Sequence, residues 1–273
     1  MKIAFCVHRY GEKITGGAEQ YTRSLANYLS KSHEIEVLTT CAREDSTWAN
    51  YFKAGISFEG AVIVRRFRTD HNRCEDWEYV HSLVKFKHEY EDEVRWLEKV
   101  GPVSESLLDY IRMNYSKYDA IIFVTYLYYH TAVGSLGIPN AILMPTAHNE
   151  SPIYLSHYDI VFSDSNGFLF LTDEEKDFVN KRFTIESKPQ KVVGVGIDSV
   201  FNENDVENVK KQCNINDPFI LYCGRISKAK GCDEILNLFM QYKDGHPDEK
   251  LNLYLTGSLS MTLPEREDIK YLG

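Results

Sequence analysis

The sequence lacks both a long apolar run and paired cysteines. No stretch of its 273 residues approaches the roughly 20 apolar residues that a membrane-spanning helix needs, and the apolar run after Met1 is too short for a signal peptide. The six cysteines form no Cys-x-x-Cys pair, and several stand in apolar runs as small hydrophobic residues. We therefore expect a soluble protein of the reduced cytoplasm, with at most a peripheral contact with a membrane.

The chain also lacks net positive charge. The 40 acidic residues outnumber the 31 basic ones, so a long-range field that attracts nucleic acid is not expected. No Gly-x-Gly-x-x-Gly fingerprint occurs, and no helical pattern follows the glycines of Gly194-Val195-Gly196, which weakens a nicotinamide dehydrogenase reading. A hydrophobic content of 43% over this length allows a large core in one or two domains, and two are expected.

The most informative stretch reads FILYCGRISKAKG. Phe219–Cys223 is a short apolar run that predicts a buried strand in a sheet covered on both faces, and Gly224 ends it. Arg225 and Lys230 follow, and a helical pattern opens after Gly231. Both cations thus lie at the carboxyl end of a strand and beside a helix amino terminus, where open α/β folds bind anions. A solvated basic loop is the alternative interpretation.

This stretch resembles the donor-phosphate motif of family 4 glycosyltransferases, which have the GT-B fold. In that family the residues that match Arg225 and Lys230 clasp the diphosphate of a nucleotide sugar. The resemblance implies an α/β protein of two Rossmann-like domains with parallel sheets: residues 1–196 on the acceptor side and 197–273 on the nucleotide-sugar donor side. A complete second domain needs on the order of 150 residues, so we expect a chain truncated within it.

The start of the chain carries a second resemblance. A strand over Lys2–His8 and a polar loop over Arg9–Thr15 precede a helix that opens at Gly16-Gly17. Paired glycines let a ligand approach backbone N–H groups at the positive helix end, although a turn that only makes room for the helix is the commoner meaning. The run GGAEQYTRSLANYLSKSHEIEVLTT resembles the opening of the same family, where the glycine loop lies beneath the donor phosphate.

Other patterns predict the remaining elements. In the first domain, strands are expected at Glu34–Thr40, Ala61–Phe67, Asp119–Thr125, Ala141–Met144, Ile160–Ser163, Gly167–Leu171 and Lys191–Val195. Helices are expected within Cys74–Val100, from Pro102 through Met113, and after a Thr172 cap, with a turn at Ser57–Gly60. In the second domain, strands at Lys250–Thr256 and Ile269–Leu272 follow, and one of them is expected to leave an unpaired edge.

Two further site residues rest on position and resemblance. His148 follows the strand Ala141–Met144, in the loop layer where binding residues collect. A lone histidine is more often structural, but in the family a histidine after the matching strand contacts the donor sugar or supports the reacting centre, so the resemblance implies a catalytic role for His148. Gly257, after the strand Lys250–Thr256, is a candidate on the donor side. The run SDSNGFLFLTDEEKDFVNKRF…KVVGVGID resembles the passage between the two domains.

The expected chemistry needs no metal. Sugar transfer leaves negative charge on the departing diphosphate, which a divalent metal or fixed cations and helix dipoles can stabilise. No Asp-x-Asp pair occurs, so Arg225, Lys230 and the amides near Gly16 and Gly17 are expected to supply the second route. The resemblance further implies retention at the anomeric carbon, with the leaving phosphate assisting deprotonation of the acceptor, and no cofactor.

The acceptor is expected to be a glycan or lipid-linked glycan of polysaccharide biosynthesis. Residues 41–118 match the family least and are expected to line the acceptor side, and Cys74–Val100 either covers the sheet or shapes an acceptor pocket. The alternatives are a catalytically inactive GT-B-like binding or assembly protein, a nucleotide-sugar epimerase and a phosphorylase. The family's two glutamates, eight positions apart beyond the last strand, do not occur in this sequence.

Overall fold

The structure is a computed structural model that describes residues 1–14, 16–196 and 202–273. The sequence predictions for Thr15, for residues 197–201 and for the exact domain boundary between them lie outside the described residues. Contacts divide the chain into two compact units, Met1–Ile197 and Asp198–Gly273. The acceptor and donor roles assigned to the two domains remain predictions.

Within the described residues, the first unit is built on an eight-stranded sheet. Its strands are β1 Lys2–Val7, β2 Glu34–Thr40, β3 Gly55–Glu59, β4 Val62–Phe67, β5 Ala120–Val124, β6 Ala141–Met144, β7 Phe168–Phe170 and β8 Gln190–Val192. The spatial order is β3-β4-β2-β1-β5-β6-β7-β8, and each neighbouring pair is parallel except β3 and β4.

Helices cover both faces of this sheet. They are α1 Gly17–Leu29, α2 Trp77–Lys85, α3 Tyr90–Val100, α4 Glu105–Asn114, α5 Tyr129–Ala132, α6 Ser156–Asp164 and α7 Asp173–Arg182. Successive β1 side chains point to opposite faces: Phe5 packs in a cluster with Ala26 of α1, whereas Cys6 packs in a cluster with Leu107 of α4. Both faces of the central strands are therefore core, which explains their near-continuous apolar sequences.

Three local predictions for the first unit are wrong. Ile160–Ser163 lies inside α6, because a short apolar run fits a buried helix turn as well as a strand. Of the turn predicted at Ser57–Gly60, only Gly60 lies in a turn, and residues 57–59 belong to β3, an exposed antiparallel edge strand that lacks the alternation of a half-buried one. Pro102 precedes α4, which begins only at Glu105.

The second unit carries a smaller parallel sheet. Its described elements are α8 Glu203–Gln212, β9 Phe219–Cys223, α9 Cys232–Gly245, β10 Asn252–Thr256 and β11 Ile269–Tyr271. The strand order is β11-β10-β9. The core joins Leu236 and Phe239 of α9 to Leu253 and Leu255 of β10.

At the edges of this sheet, one prediction is confirmed for one of its two alternatives, and another is wrong. The strand predicted at Lys250–Thr256 is paired on both sides, whereas Ile269–Tyr271 does form an edge. Phe219–Cys223 is the other edge, and its Phe219, Ile220 and Leu221 side chains are 38–52% exposed rather than buried. An apolar strand is buried on both faces only where other layers cover it, and the strand's own sequence does not reveal whether it lies at an edge.

No helix among the described residues is both long and apolar enough to cross a membrane.

Candidate functional site

The carboxyl ends of the central strands in the first unit form one candidate region. Parallel strands end at a common edge of the sheet, which brings the residues after β5 and β6 together. Thr125 and Thr146 there have φ angles of 70° and 51°, and their hydroxyl oxygens are 3.4 Å apart. A positive φ is unusual for a β-branched residue, and such strain tends to cluster at functional sites.

His148 lies two residues beyond Thr146 with a largely free side chain. Its ring is 72% exposed, and its Nε2 lies 3.2 Å from Oε2 of Glu150. The other oxygen of Glu150 accepts a hydrogen bond of 2.7 Å from the hydroxyl of buried Tyr126. Glu150 is therefore anchored from below, and His148 is held by one carboxylate while the rest of its ring remains open to a ligand.

Glu175 fixes the backbone that carries His148. This carboxylate is 8% exposed, and it accepts hydrogen bonds of 2.7 Å from the Ala147 amide and 2.8 Å from the Leu171 amide. Burial raises the pKa of Glu175, although the two amides act in the opposite direction. One side chain thus ties the end of β7 to the loop after β6.

The sequence pattern does not reveal this role of Glu175. It predicts only an acidic first turn behind a Thr172 cap, and the Thr172 hydroxyl does accept a hydrogen bond from the Glu175 amide at 3.1 Å. A glutamate three residues after a cap usually folds back onto the cap's own backbone. Because Glu175 instead bonds the loop after β6, only the tertiary structure identifies it.

The paired glycines open α1 as predicted, but they differ in their surroundings. A Cβ added to Gly16 would lie 2.0 Å from Oε2 of Glu19, so a larger residue there would displace the folded-back carboxylate. A Cβ added to Gly17 would meet no atom within 4 Å. The glycine at position 16 thus has a structural reason, whereas the space beside Gly17 is open.

Glu19 already occupies the positive end of α1. It is buried, bonds the Arg9 guanidinium, and lies 2.9 Å from Nε2 of His8. Burial alone would raise the pKa of Glu19, but the hydrogen bond with His8 and the charge of Arg9 outweigh it and lower the pKa to about 2. Burial lowers the pKa of His8, so the permanent positive charge beside Glu19 is that of Arg9. Any ligand phosphate at Gly17 would share this helix end with a fixed negative charge, which weakens the predicted amide site.

In the second unit, a well-anchored loop presents Arg225. Ile226 is fully buried and exchanges backbone hydrogen bonds of 2.9 Å with Ser258 and Ser260. The Arg225 carbonyl accepts a hydrogen bond of 2.9 Å from the Tyr222 hydroxyl. Hydrogen bonds on both sides therefore hold the backbone at Arg225 in place, while its side chain is exposed.

Lys230 approaches the same helix from the other end of the loop. It closes a 3-10 turn, Lys228–Lys230, and Gly231, with a φ of 70°, connects the turn to α9. Among residues 1–14, 16–196 and 202–273, the side chains of Arg225 and Lys230 form no hydrogen bond and no ion pair. Two cations without anionic partners thus stand at the carboxyl end of β9 and the amino terminus of α9, where a phosphate group is favoured.

The backbone geometry explains why residue 257 is a glycine. Its φ is 122°, and an added Cβ would lie 2.2 Å from the carbonyl oxygen of Gly224. Its own carbonyl accepts a hydrogen bond of 2.8 Å from the Tyr271 hydroxyl. The close approach of the ends of β9 and β10 explains this glycine without a ligand, and its predicted donor-side role is untested.

No group of three metal-ligating side chains is present in the part of the chain that the structure describes.

Solved structures resemble this chain, although no family model and no curated protein matches its sequence. A sucrose-phosphate synthase from Thermosynechococcus elongatus has a TM-score of 0.63 at 13% identity, over 100% of this chain and 70% of its own. WaaG, a glycosyltransferase involved in lipopolysaccharide biosynthesis, has a TM-score of 0.58 at 12% identity, over 99% and 69%. The chain has the GT-B glycosyltransferase fold.

The GT-B likeness extends to a structure with a bound nucleotide sugar. The solved structure "Trehalose-6-phosphate from E. coli bound with UDP-2-fluoro glucose" has a TM-score of 0.60 at 12% identity, over 95% of this chain. This chain spans 65% of the length of that chain. At such low identity the comparison establishes the fold alone, and it confirms the α/β class predicted from the sequence.

The predicted residues of this GT-B chain form two separate groups. Gly16, Gly17 and His148 belong to the first unit, where loops follow the parallel strands. Arg225, Lys230 and Gly257 belong to the second unit, at the carboxyl ends of β9 and β10. Their roles in binding or catalysis remain predictions.

Proposed function

We propose that this chain belongs to an enzyme that transfers a sugar from a nucleoside-diphosphate sugar to an acceptor. The observation that carries the proposal is the loop after β9, in which Arg225 and Lys230 are exposed beside the amino terminus of α9. Neither side chain has a partner within the described residues. Solved glycosyltransferases of the same fold support the class of reaction.

Arg225 and Lys230 suit the charge that develops during such a reaction. When the bond between the sugar and the diphosphate breaks, negative charge grows on the departing phosphate oxygens, and fixed cations stabilise it most in the transition state. The planar guanidinium of Arg225 can donate two parallel hydrogen bonds to a phosphate, and the Lys230 ammonium adds a compact charge. Charge-assisted hydrogen bonds of this kind contribute about 1.5 to 3 kcal/mol each.

The finer points of the reaction extend this proposal. Transfer proceeds with retention at the anomeric carbon and without a metal, and the leaving phosphate accepts the acceptor's proton. His148, with an exposed side chain, contacts the donor sugar or supports the reacting centre. The acceptor is a glycan or a lipid-linked glycan.

Two measurements test the proposed function. Calorimetric titration of the chain with UDP, GDP and ADP is expected to show binding of at least one diphosphate in the absence of divalent metal, weakened by salt because the contacts are ionic. Incubation with the matching nucleotide sugars should then release the nucleoside diphosphate together with a glycosylated product. Lack of binding for all three diphosphates, or isomerisation of the sugar without release of diphosphate, would contradict the proposal.

A further inference from the structure

The first unit contains a cavity that none of the predicted site residues lines. It measures about 700 Å³ and lies where α2, α3 and a 3-10 turn, Ser151–Tyr154, meet. Pockets that bind small molecules are typically about 300 to 1,000 Å³, so its size suits a ligand of one or two rings. Its walls come from α2, from Trp96 of α3 and from the turn that follows His148.

Aromatic side chains form the main surface of this cavity. Trp77 is 38% exposed and Phe86 is 70% exposed, although both are large apolar residues. The Arg73 guanidinium lies 4.0 Å from the Trp77 ring centroid, and the His81 ring lies 5.6 Å away on the same helix. Such contacts hold the indole in place without burying it, which leaves a firm platform for a ligand.

The rim of the cavity is polar and carries charges of both signs. Glu78, His81 and Lys85 line it together with Ser82, so hydrogen-bond donors and acceptors surround the aromatic surface. An alkyl chain would form no hydrogen bond with these exposed groups, and a highly charged ligand would meet a side chain of its own sign. The lining therefore favours a neutral molecule that has an apolar face and a hydroxylated edge.

The cavity wall is tied to the loop that carries His148. Glu93 of α3 accepts hydrogen bonds from the amides of Ser156 and His157, at 3.1 and 2.7 Å, and so caps the start of α6. Ser151 and Pro152, only three and four residues after His148, form the opposite wall. A ligand in the cavity thus lies against the same backbone segment as the candidate catalytic residue.

We propose that this cavity binds a pyranose ring of the acceptor saccharide, with its C–H face on Trp77 and Phe86 and its hydroxyls toward Glu78, His81 and Lys85. A pyranose has the required combination of a weakly polar ring face and a hydrogen-bonding edge. The proposal rests on the proposed function, because it assigns the acceptor of that reaction. It adds the residues that bind one ring of that acceptor.

Saturation-transfer NMR on the chain tests this assignment. The probes are methyl glycosides of glucose, galactose, mannose, N-acetylglucosamine and rhamnose, for which dissociation constants in the millimolar range are expected, about 4 kcal/mol of binding free energy. At least one should receive saturation mainly at its ring protons. We expect Trp77→Ala and Phe86→Ala each to weaken this binding at least about fivefold, consistent with the loss of roughly 1 kcal/mol of aromatic contact.

Matched variants decide between outcomes. Tyr79→Ala removes an exposed ring of the same helix that does not line the cavity, and it should leave pyranoside binding unchanged. Trp77→Phe should retain most of the binding if a ring face is what matters. The proposal is overturned if no glycoside binds, if the Trp77 and Phe86 variants bind as well as the parent, or if octyl glucoside receives saturation at its alkyl chain rather than its ring.

The test is independent of the donor site. UDP, GDP or ADP affinity should be the same in the Trp77 and Phe86 variants as in the parent, since these residues are not in the loop after β9. Loss of pyranoside binding with intact diphosphate binding therefore assigns the cavity. Pyranoside binding in a chain that binds no diphosphate would support the cavity and contradict the proposed function.

Discussion

Glu175 and Ala147 lie 28 residues apart in the chain, yet the buried Glu175 carboxylate accepts a hydrogen bond of 2.7 Å from the Ala147 amide. The same carboxylate also holds the Leu171 amide. Two strand ends are thereby joined through one side chain, directly before the exposed His148. Because the geometry of that loop depends on a residue of α7, changes at Glu175 should affect both stability and reaction.

The Glu175→Ala variant tests this connection. It leaves two amides without their acceptor, and each unsatisfied buried group costs about 1 to 3 kcal/mol, so a loss of about 2 to 6 kcal/mol in the unfolding free energy is expected. Glu175→Gln keeps one acceptor oxygen and should lose less. Urea unfolding and hydrogen exchange of the Ala147 amide measure the two effects. Unaltered exchange at Ala147 in the alanine variant would contradict the connection.

His148→Ala tests the candidate catalytic residue. Because the ring is exposed, the unfolding free energy should change by no more than about 0.5 kcal/mol. The turnover number with a nucleotide sugar should fall about 2- to 13-fold, as expected for one lost hydrogen bond of about 0.5 to 1.5 kcal/mol in the transition state. His71→Ala, at another exposed histidine, is the control. Equal turnover in the parent and both variants would remove His148 from the reaction.

Arg225→Ala tests the diphosphate site. Loss of a contribution of about 1.5 to 3 kcal/mol should weaken UDP or GDP binding roughly 10- to 150-fold, as measured by calorimetry. Lys228 is an exposed cation of the same 3-10 turn, and Lys228→Ala should change affinity much less because Lys230, not Lys228, stands next to the helix. If both variants weaken binding equally, the effect is general charge and not a defined site.

The Glu19 cluster predicts how acid destabilises the first unit. In the folded chain the pKa of Glu19 is lowered from about 4.5 to about 2, so its stabilising contribution is complete above pH 4.5 and is lost as the pH falls toward 2. The contribution is on the order of 3 kcal/mol. All three tryptophans lie in the first unit, so their fluorescence follows its unfolding alone.

Two variants separate Glu19 from other carboxylates in that experiment. Glu19→Gln should be less stable than the parent at pH 7 and should show a shallower loss of stability between pH 4.5 and 2. Glu12→Gln, at an exposed carboxylate of the preceding loop, should follow the parent curve. An identical pH dependence in Glu19→Gln and the parent would rule out the cluster as the cause.

Gly257→Ala tests the close approach of the ends of β9 and β10. An added Cβ would collide with the Gly224 carbonyl at 2.2 Å, and the φ of 122° is itself strained for alanine. A loss of at least about 2 kcal/mol in the stability of the second unit is expected, measured by circular dichroism during urea unfolding. Gly245→Ala, which meets no atom within 4 Å, is the control. Equal stability of the two variants would show that the backbones can separate at little cost.

Some features of this protein could be predicted from local sequence. The strand at Phe219–Cys223, the cations that follow it and the helix after Gly231 were found because strand, loop and helix signals occur in immediate succession. The cap at Thr172 was predicted for the same reason. The short run Ile160–Ser163 was misassigned, since four apolar residues do not distinguish a strand from a helix turn.

The sequence by itself determined the order of elements, the α/β class and the position of the two cations, because periodicity, capping and turn chemistry act between near neighbours in the chain. Only the tertiary structure decided that β9 is an exposed edge, that Glu19 fills the end of α1, and that Glu175 holds the loop before His148. Those facts depend on which distant segments pack together, and packing is governed by burial and hydrogen-bond partners that a local pattern does not specify.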